Sequence, residues 1–384
     1  MLCAPQCTRT LLDLGLPPEP AKINRNILIC GDADFAYSLA LESSLSERGG
    51  VSLFASAYEP EDELIARYPH AAAAIETLSS RGVAVRCGVD ARAISASFGD
   101  SLRFDRIVFN LPQSPPAPKA RNQIQRHRAL LRDFCGSAAT ALAPAGQLWI
   151  TLLAGQGGTV LDPIQRAAGD TWMLQSEAAK SGLLITDVHS ADLDVLEASG
   201  YTPTGRRGGG ALGTKRKSKG LVVHVLRPER QPGVGSSGDG AAEDDAGEPC
   251  SVAPFEHTLD NSFWVEGETE PTLTELRETA ASALPPEARH ALIGEPTLVD
   301  AYARPEDGRR ARTYRFVYRS SVLALHKERA LSLNAKVCAA LSEAYSAEYR
   351  NPKPPAQQPG AEASGVEADE EEGDESKRQR VDGE

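Results

Sequence analysis

Residues 26–41 read NILICGDADFAYSLAL, an apolar run that stops at Gly31 and gives way to a helical pattern from Phe35 onward. Consecutive apolar residues without alternation mark a strand buried on both faces. Glycine at the strand exit lets the backbone turn sharply and come close to a ligand, and the start of the following helix offers free N–H groups. The pattern recurs: apolar runs at 51–57, 83–87, 105–110, 147–153, 183–189 and 221–226 accompany helical stretches at 35–48, 61–80 and 121–142. Strands alternating with helices predict an α/β domain over residues 23–228 with a mostly parallel, doubly wound sheet. Sheets of this kind bind ligands at the carboxyl ends of their strands.

Four such ends carry polar residues. The first is the turn Gly31-Asp32-Ala33-Asp34, and the second run ends at Glu59, where a carboxylate can accept both hydroxyls of a ribose. The third is followed by Asp90, placed to meet an adenine amino group, and the fourth ends Asn110-Leu111-Pro112-Gln113, an amide and a proline at the mouth of the site. Taken singly each has a plainer reading: a structural turn, a solvated acid, a loop opening, or, for Asp34, a carboxylate at a helix N-terminus. Their order along successive strand ends is what points to one nucleotide-sized cleft. The full G-x-G-x-x-G is absent, which disfavours a dinucleotide oxidoreductase, and no P-loop lysine occurs.

The net charge of −12 is unevenly placed. Residues 229–250 hold six acids against one arginine, and residues 353–384 hold ten acids against four bases, so the remainder is nearly neutral and acidity does not exclude an RNA partner. Residues 229–252, rich in Gly, Ser and acids, read as a disordered acidic linker, and residues 351–384 as a disordered acidic tail. The tail's Lys377-Arg378-Gln379-Arg380 is a short basic cluster of the nuclear-import type. Seven cysteines occur singly, with no CxxC, which predicts a reduced compartment, cytoplasmic or nuclear, and neither a disulfide framework nor a metal site. No apolar stretch approaches membrane-spanning length, and the first 25 residues show no secretory or mitochondrial pattern.

Between linker and tail, residues 253–349 read as a small α+β ferredoxin-like domain. Strands are expected at 263–265, 297–302 and 312–319, a helix opened by the Thr272–Glu275 capping box, and a second helix over 325–345. Alternation puts Tyr314, Phe316 and Tyr318 on one face and Arg315 and Arg319 on the other, so the arginine face is the candidate phosphate contact and the aromatic face the sheet core. In the first domain Arg206, Arg207 and Lys215, with Arg216, Lys217 and Lys219, lie in a Gly-rich basic stretch that grips phosphate or is simply a solvated loop. The stretch 155–159, GQGGT, is either a substrate-side loop or a mobile connection.

ILICGDADFAYSLAL (27–41), FDRIVFNLPQ (104–113), IQRHRALLRDFCGSAATAL (124–142) and GQLWITLL (146–153) resemble, in order, the opening, the NFPH loop, the NR-x-LL helix and the next strand of the rRNA uracil-N3 methyltransferase-like family. The block at 154–189 is similar to the subgroup that joins this domain to a ferredoxin-fold anticodon-binding domain. HTLDNSFWVEG (257–267) and TLVDAYARPEDGRRARTYRFVYRS (297–320) resemble that second domain as it ends phenylalanyl-tRNA synthetases. The resemblance implies a Rossmann-like methyltransferase sheet, S-adenosylmethionine as cofactor and a base in rRNA or tRNA as target. Gly31, Asp32 and Asp34 would line the amino-acid end of the cofactor, Glu59 its ribose and Asp90 its adenine, with Asn110, Pro112 and Asp34 the candidates for catalysis. This chain departs from the family at Ala33 for its second Gly, Gln113 for the His of NFPH and His127 for the Asn of NR. Glutamine cannot relay a proton as imidazole does, so a non-catalytic RNA- or tRNA-binding protein on a degenerate methyltransferase fold stands as the alternative.

Overall fold

The computed structural model describes residues 12–16, 24–46, 49–114, 122–191, 193–201, 203, 220–230, 248–265 and 270–350. The first domain runs β1 (Arg25–Cys30), α1 (Ala36–Leu45), β2 (Val51–Ser56), α2 (Glu61–Arg67), α3 (Ala71–Ser80), β3 (Ala84–Arg86), α4 (Ile94–Phe98) and β4 (Phe104–Asn110). It continues through α5 (Gln123–Ala141), β5 (Leu142–Leu153), α6 (Leu174–Ala179), β6 (Leu183–Ala191), α7 (Leu193–Ala198) and β7 (Leu221–Pro228). These strands form one sheet in the order β3-β2-β1-β4-β5-β7-β6, with β7 antiparallel to both its neighbours. β1 stands between β2 and β4, so the chain's winding reverses there, and a crevice opens at the carboxyl ends of β1 and β4.

Both faces of the sheet are covered, which is why its strands are apolar throughout. Ile27 and Ile29 enter one core with Leu41, Leu53 and Val108, whereas Leu28 and Cys30 enter the other with Phe104, Ile107, Phe134 and Ile150. The helix expected at 61–80 is two helices: Pro69 lies between them, the preceding Tyr68 is extended at φ −121°, and α3 starts two residues later. Residues preceding proline are pushed out of the helical region, which accounts for the break.

The second domain is an antiparallel sheet in the order β11-β8-β10-β9, built from β8 (Glu256–Val265), β9 (Leu292–Ala303), β10 (Arg310–Arg319) and β11 (Glu348–Arg350). α8 (Leu273–Ala283) and α9 (Lys327–Ala344) lie on one face. Tyr314, Phe316 and Tyr318 meet Leu276, Ala280, Leu333 and Val337 there, so the aromatic stripe is core. Thr272 and Glu275 form the reciprocal capping box that starts α8.

The two domains touch. The Glu229 carboxylate accepts the Ala324 N–H at 2.6 Å and Arg329 Nη1 at 2.8 Å, and the Val252 N–H donates to the Ile185 carbonyl of β6 at 2.9 Å. Ala179, Leu184, Ala324 and Phe255 share a small apolar cluster. Glu229 and Val252, expected within a disordered linker, are therefore anchors; residues 231–247 and 351–384 lie outside the described residues. Among the described residues no helix is long and apolar enough to cross a membrane.

Candidate functional site

The turn after β1 is set by sterics. Gly31 has φ +64°, and a Cβ there would lie 2.7 Å from Phe109 Cε2. Phe35, at φ 59°, is another left-handed residue; its side chain is completely buried and anchors the start of α1. Between them Asp32 is buried, its N–H bound to the Ser56 carbonyl at 2.9 Å. Its Oδ2 accepts the Ser38 N–H at 2.7 Å and the Ser38 hydroxyl at 2.6 Å. Burial, and secondarily the charge of Asp34, push the Asp32 carboxyl up to about 7 against the pull of those hydrogen bonds. Asp34 Oδ1 accepts the Ala36 N–H, the first of α1, at 3.1 Å, so it stands at the helix N-terminus as well as lining the cleft.

Glu59, just past β2, is buried, and its Oε1 takes Arg67 Nη1 at 2.7 Å. Asp90 starts a 3-10 turn by accepting the Arg92 N–H at 2.9 Å, and the Arg92 guanidinium grips the same carboxylate from Nε at 2.9 Å and Nη2 at 2.7 Å. Hydrogen bonding to Arg92 holds Asp90 below the usual carboxylate range. Asn110 ends β4. Its Oδ1 accepts the Thr151 hydroxyl at 2.7 Å, and its amide also interacts with the Tyr37 side chain of α1. The Leu111 N–H donates to the Thr151 carbonyl at 2.9 Å, so β5 fixes both the side chain and the backbone of this strand end.

Gly31, Asp32, Asp34, Glu59, Asp90 and Asn110 line a single cleft, as the strand-end argument requires. Pro112 does not. It is buried between Leu111, which takes φ 48°, and Gln113, and both of those neighbours line the hollow. Several lining residues had no sequence signal, among them Tyr58, Arg92 and Tyr201. Tyr58 precedes Glu59, Arg92 folds back onto Asp90, and Tyr201 arrives from beyond α7 to pack edge-on against Tyr37 with ring centroids 5.3 Å apart.

The glycine-rich loop after β5 is tied to its surroundings by hydrogen bonds and close packing. Asp162 Oδ1 accepts the Gly155 N–H at 2.6 Å, and a Cβ on Gly157 would meet His224 Nε2 at 2.7 Å. His224 is wholly buried, and burial pushes its imidazole down to about 4, so it is neutral. At the loop's far end Trp172 stacks on His127 at 4.1 Å, and Arg128 binds the Thr171 and Ala168 carbonyls.

Arg206, Arg207 and Lys215 lie outside the described residues. In the second domain Arg315 and Arg319 are exposed as alternation predicts, yet Arg315 forms a two-pronged pair with Asp260 at 2.8 and 2.9 Å. Arg319 lies 3.9 Å from Glu256. On the same sheet Trp264 carries the guanidiniums of Arg304, Arg309 and Arg350 at 4.4, 4.9 and 5.0 Å from its ring.

Residues 28–203 match the family described as BMT5-like, rRNA (uridine-N3-)-methyltransferase BTM5-like. The chain is similar to ferredoxin-fold anticodon-binding domain-containing protein 1 of Homo sapiens and its homolog of Mus musculus, each 33% identical over 184 residues. That match spans 48% of this chain and 28% of either relative. Among solved structures, NSun6 from Pyrococcus horikoshii with SFG overlays 56% of this chain and 50% of its own at 13% identity, with a TM-score of 0.34. The first domain thus resembles RNA methyltransferases in sequence, and its sheet is the Rossmann-like one expected.

Proposed function

We propose that the first domain is an S-adenosylmethionine-dependent methyltransferase acting on an RNA base, of the rRNA uridine-N3 kind, and that the second domain adds RNA contacts. The observation that carries this is the convergence of Gly31, Asp32, Glu59, Asp90 and Asn110 on one cleft at the reversal of the sheet, inside the segment that resembles rRNA methyltransferases. The residues fit such a cofactor: Gly31 leaves a cradle that a Cβ would fill, and the carboxylates of Glu59 and Asp90 stand at the ends of successive strands on the same cleft. When bound, S-adenosylmethionine supplies a methyl group already activated on a sulfonium.

The chain's own part is mainly placement. Asp32 and Asp34 face the amino-acid end, Glu59 accepts from ribose hydroxyls beside Arg67, and Asp90, oriented by Arg92, receives the adenine amino group. Asn110, with its carbonyl oxygen tied to Thr151, directs its N–H groups toward a carbonyl of the target base. Removal of a proton from uracil N3 falls to Asp34, a half-buried carboxylate of the cleft. The basic segment holding Arg206, Arg207 and Lys215 follows Tyr201, which lines the cleft, and rejoins the fold at Gly220, whose carbonyl accepts the Ala154 N–H at the end of β5. The cationic residues of this segment are assigned the phosphate contacts that RNA binding requires.

A second reading, RNA binding without methylation, is favoured by the prior engagement of Glu59 and Asp90 with Arg67 and Arg92 and by Ala33. The test is methyl transfer from S-adenosylmethionine to total RNA, with mapping of the methylated position. Labelled N3-methyluridine with wild type, and none with Glu59→Ala, is the expected result. RNA retained on the protein without any label would establish the second reading instead.

A further inference from the structure

The loop that leaves β5 is closed at its neck. The Trp172 N–H donates to the Gln156 carbonyl at 2.8 Å and the Leu174 N–H to the Gly157 carbonyl at 3.0 Å, and a Cβ on Gly158 would collide with Thr171. Residues 159–170 thus form a compact loop whose two ends meet. Its polar side chains serve its own backbone. Asp162 Oδ1 accepts the Gly155 and Ile164 N–H groups at 2.6 and 3.2 Å, and the Gln165 amide donates to the Asp162 carbonyl at 2.6 Å. The aliphatic side chains turn the other way: Val160, Leu161 and Ile164 are 76%, 41% and 40% exposed. Exposed aliphatics scattered singly are ordinary, whereas a cluster of them on a hydrogen-bonded support marks a contact surface. Within residues 160–166 the acid, Asp162, is buried and the base, Arg166, is exposed, so the tip meets solvent with apolar and positive groups.

This tip stands on the rim of the cleft. Residues 152–155 carry the chain past Thr151, whose hydroxyl meets Asn110, by about 10 Å at strand spacing. Ile164 and Arg166 fold back over that point, 3.2 and 2.9 Å from where a Gly155 Cβ would lie. The far end of the loop is pinned to α5 by Arg128 and by the Trp172–His127 stack, one turn before Leu130, which lines the cleft.

We propose that this tip is a wedge for structured RNA, entering the base stack next to the target nucleotide and filling the gap left while that base occupies the cleft. The inference rests on the RNA methyltransferase reading above and names how a paired base reaches the site. N3 of uracil lies on the edge that pairs with adenine, so it is out of reach until the base leaves its stack. Apolar side chains inserted at such a step stabilise the opened stack, and an arginine beside them meets a phosphate.

The test uses the full chain with S-adenosylhomocysteine and two probes: a short RNA duplex carrying 2-aminopurine beside a central uridine, and the same strand without its complement. Wild type should raise the fluorescence of the duplex probe severalfold as the base unstacks. The triple variant Val160→Ser, Leu161→Ser, Ile164→Ser should lose that rise and bind the duplex about tenfold more weakly, with affinity for the single strand within about twofold of wild type. Should the triple variant fail to fold, Val160→Ser alone, at the most exposed of the three positions, should lose part of the rise. A duplex bound by wild type without any rise, or a rise unchanged in the variants, overturns the proposal and would turn the tip toward a protein partner. Equal weakening on both probes overturns it too, since a wedge acts only on a stack. In each of these cases RNA is still bound and the methyltransferase reading stands; failure of wild type to bind either probe overturns that reading itself.

Discussion

Replacing Gly31 by alanine should damage the fold and the cleft together, through two separable costs. The first is backbone strain: at φ +64° a Cβ crowds the following carbonyl, which costs about 1–2 kcal/mol. The second is a collision. The new methyl would stand 2.7 Å from Phe109 Cε2 and 3.5 Å from two further ring atoms. Phe109 is buried and packed edge-on against Phe134, centroids 4.7 Å apart, so the ring cannot retreat into the core, and overpacking of this sort costs about 1–3 kcal/mol. Gly31→Ala should therefore lose about 2–5 kcal/mol. Urea unfolding followed by the fluorescence of Trp149 and Trp172, both in the first domain, measures it. Phe109→Leu shortens the obstructing side chain, so the double variant should be less damaged than the sum of the singles by about 1–3 kcal/mol. Strict additivity would show that the turn and the end of β4 do not meet as described, and the account of the cradle would fall with it.

Asp32→Asn tests the burial of the carboxyl without any ligand. Because the folded value lies above the unfolded one, stability held at low pH is lost as pH rises from about 4 to about 7, and the amide abolishes that loss. The variant should melt above wild type at pH 8, by a margin of up to about 4 kcal/mol that shrinks toward pH 5; equal melting curves at both pH values would refute it. Thr151→Val removes the hydroxyl that orients Asn110 and leaves its buried carbonyl oxygen unsatisfied, at about 1–3 kcal/mol. Its methyl-transfer kcat should fall while cofactor affinity stays unchanged, with recovery in Thr151→Ser. Arg329→Ala should loosen the domain junction held by Glu229, seen as faster hydrogen exchange at the Val252 amide but not in β1 or β4.

What could be read in advance, and what could not, divides along the range of the forces involved. Parallel strands put all their carboxyl ends on one edge, so a list of polar residues just past apolar runs becomes a list of neighbours: Gly31, Glu59, Asp90 and Asn110 are far apart in sequence yet share a cleft. Gly31 was legible for a second reason, since a sharp strand-to-helix turn selects φ > 0. The partners of those residues were not legible. Arg92 reaches Asp90 only because a 3-10 turn folds the chain back within two residues, and Arg67 reaches Glu59 only because α2 ends before Pro69. Tyr201 enters the cleft from beyond α7, in the connection to the antiparallel β7, a tertiary consequence with no local signature. Arg315 shows the same limit from the other side. Alternation correctly exposed it, but its charge is matched by Asp260, and that pairing follows from the register of β8 against β10, which sets the two residues opposite each other. An arginine count along one strand thus overstates the phosphate-seeking charge of a sheet face until its cross-strand neighbours are known. For this protein the correction removes Arg315 as an unopposed cation and shifts attention to Arg350, which stacks on Trp264 beside Arg304 and Arg309.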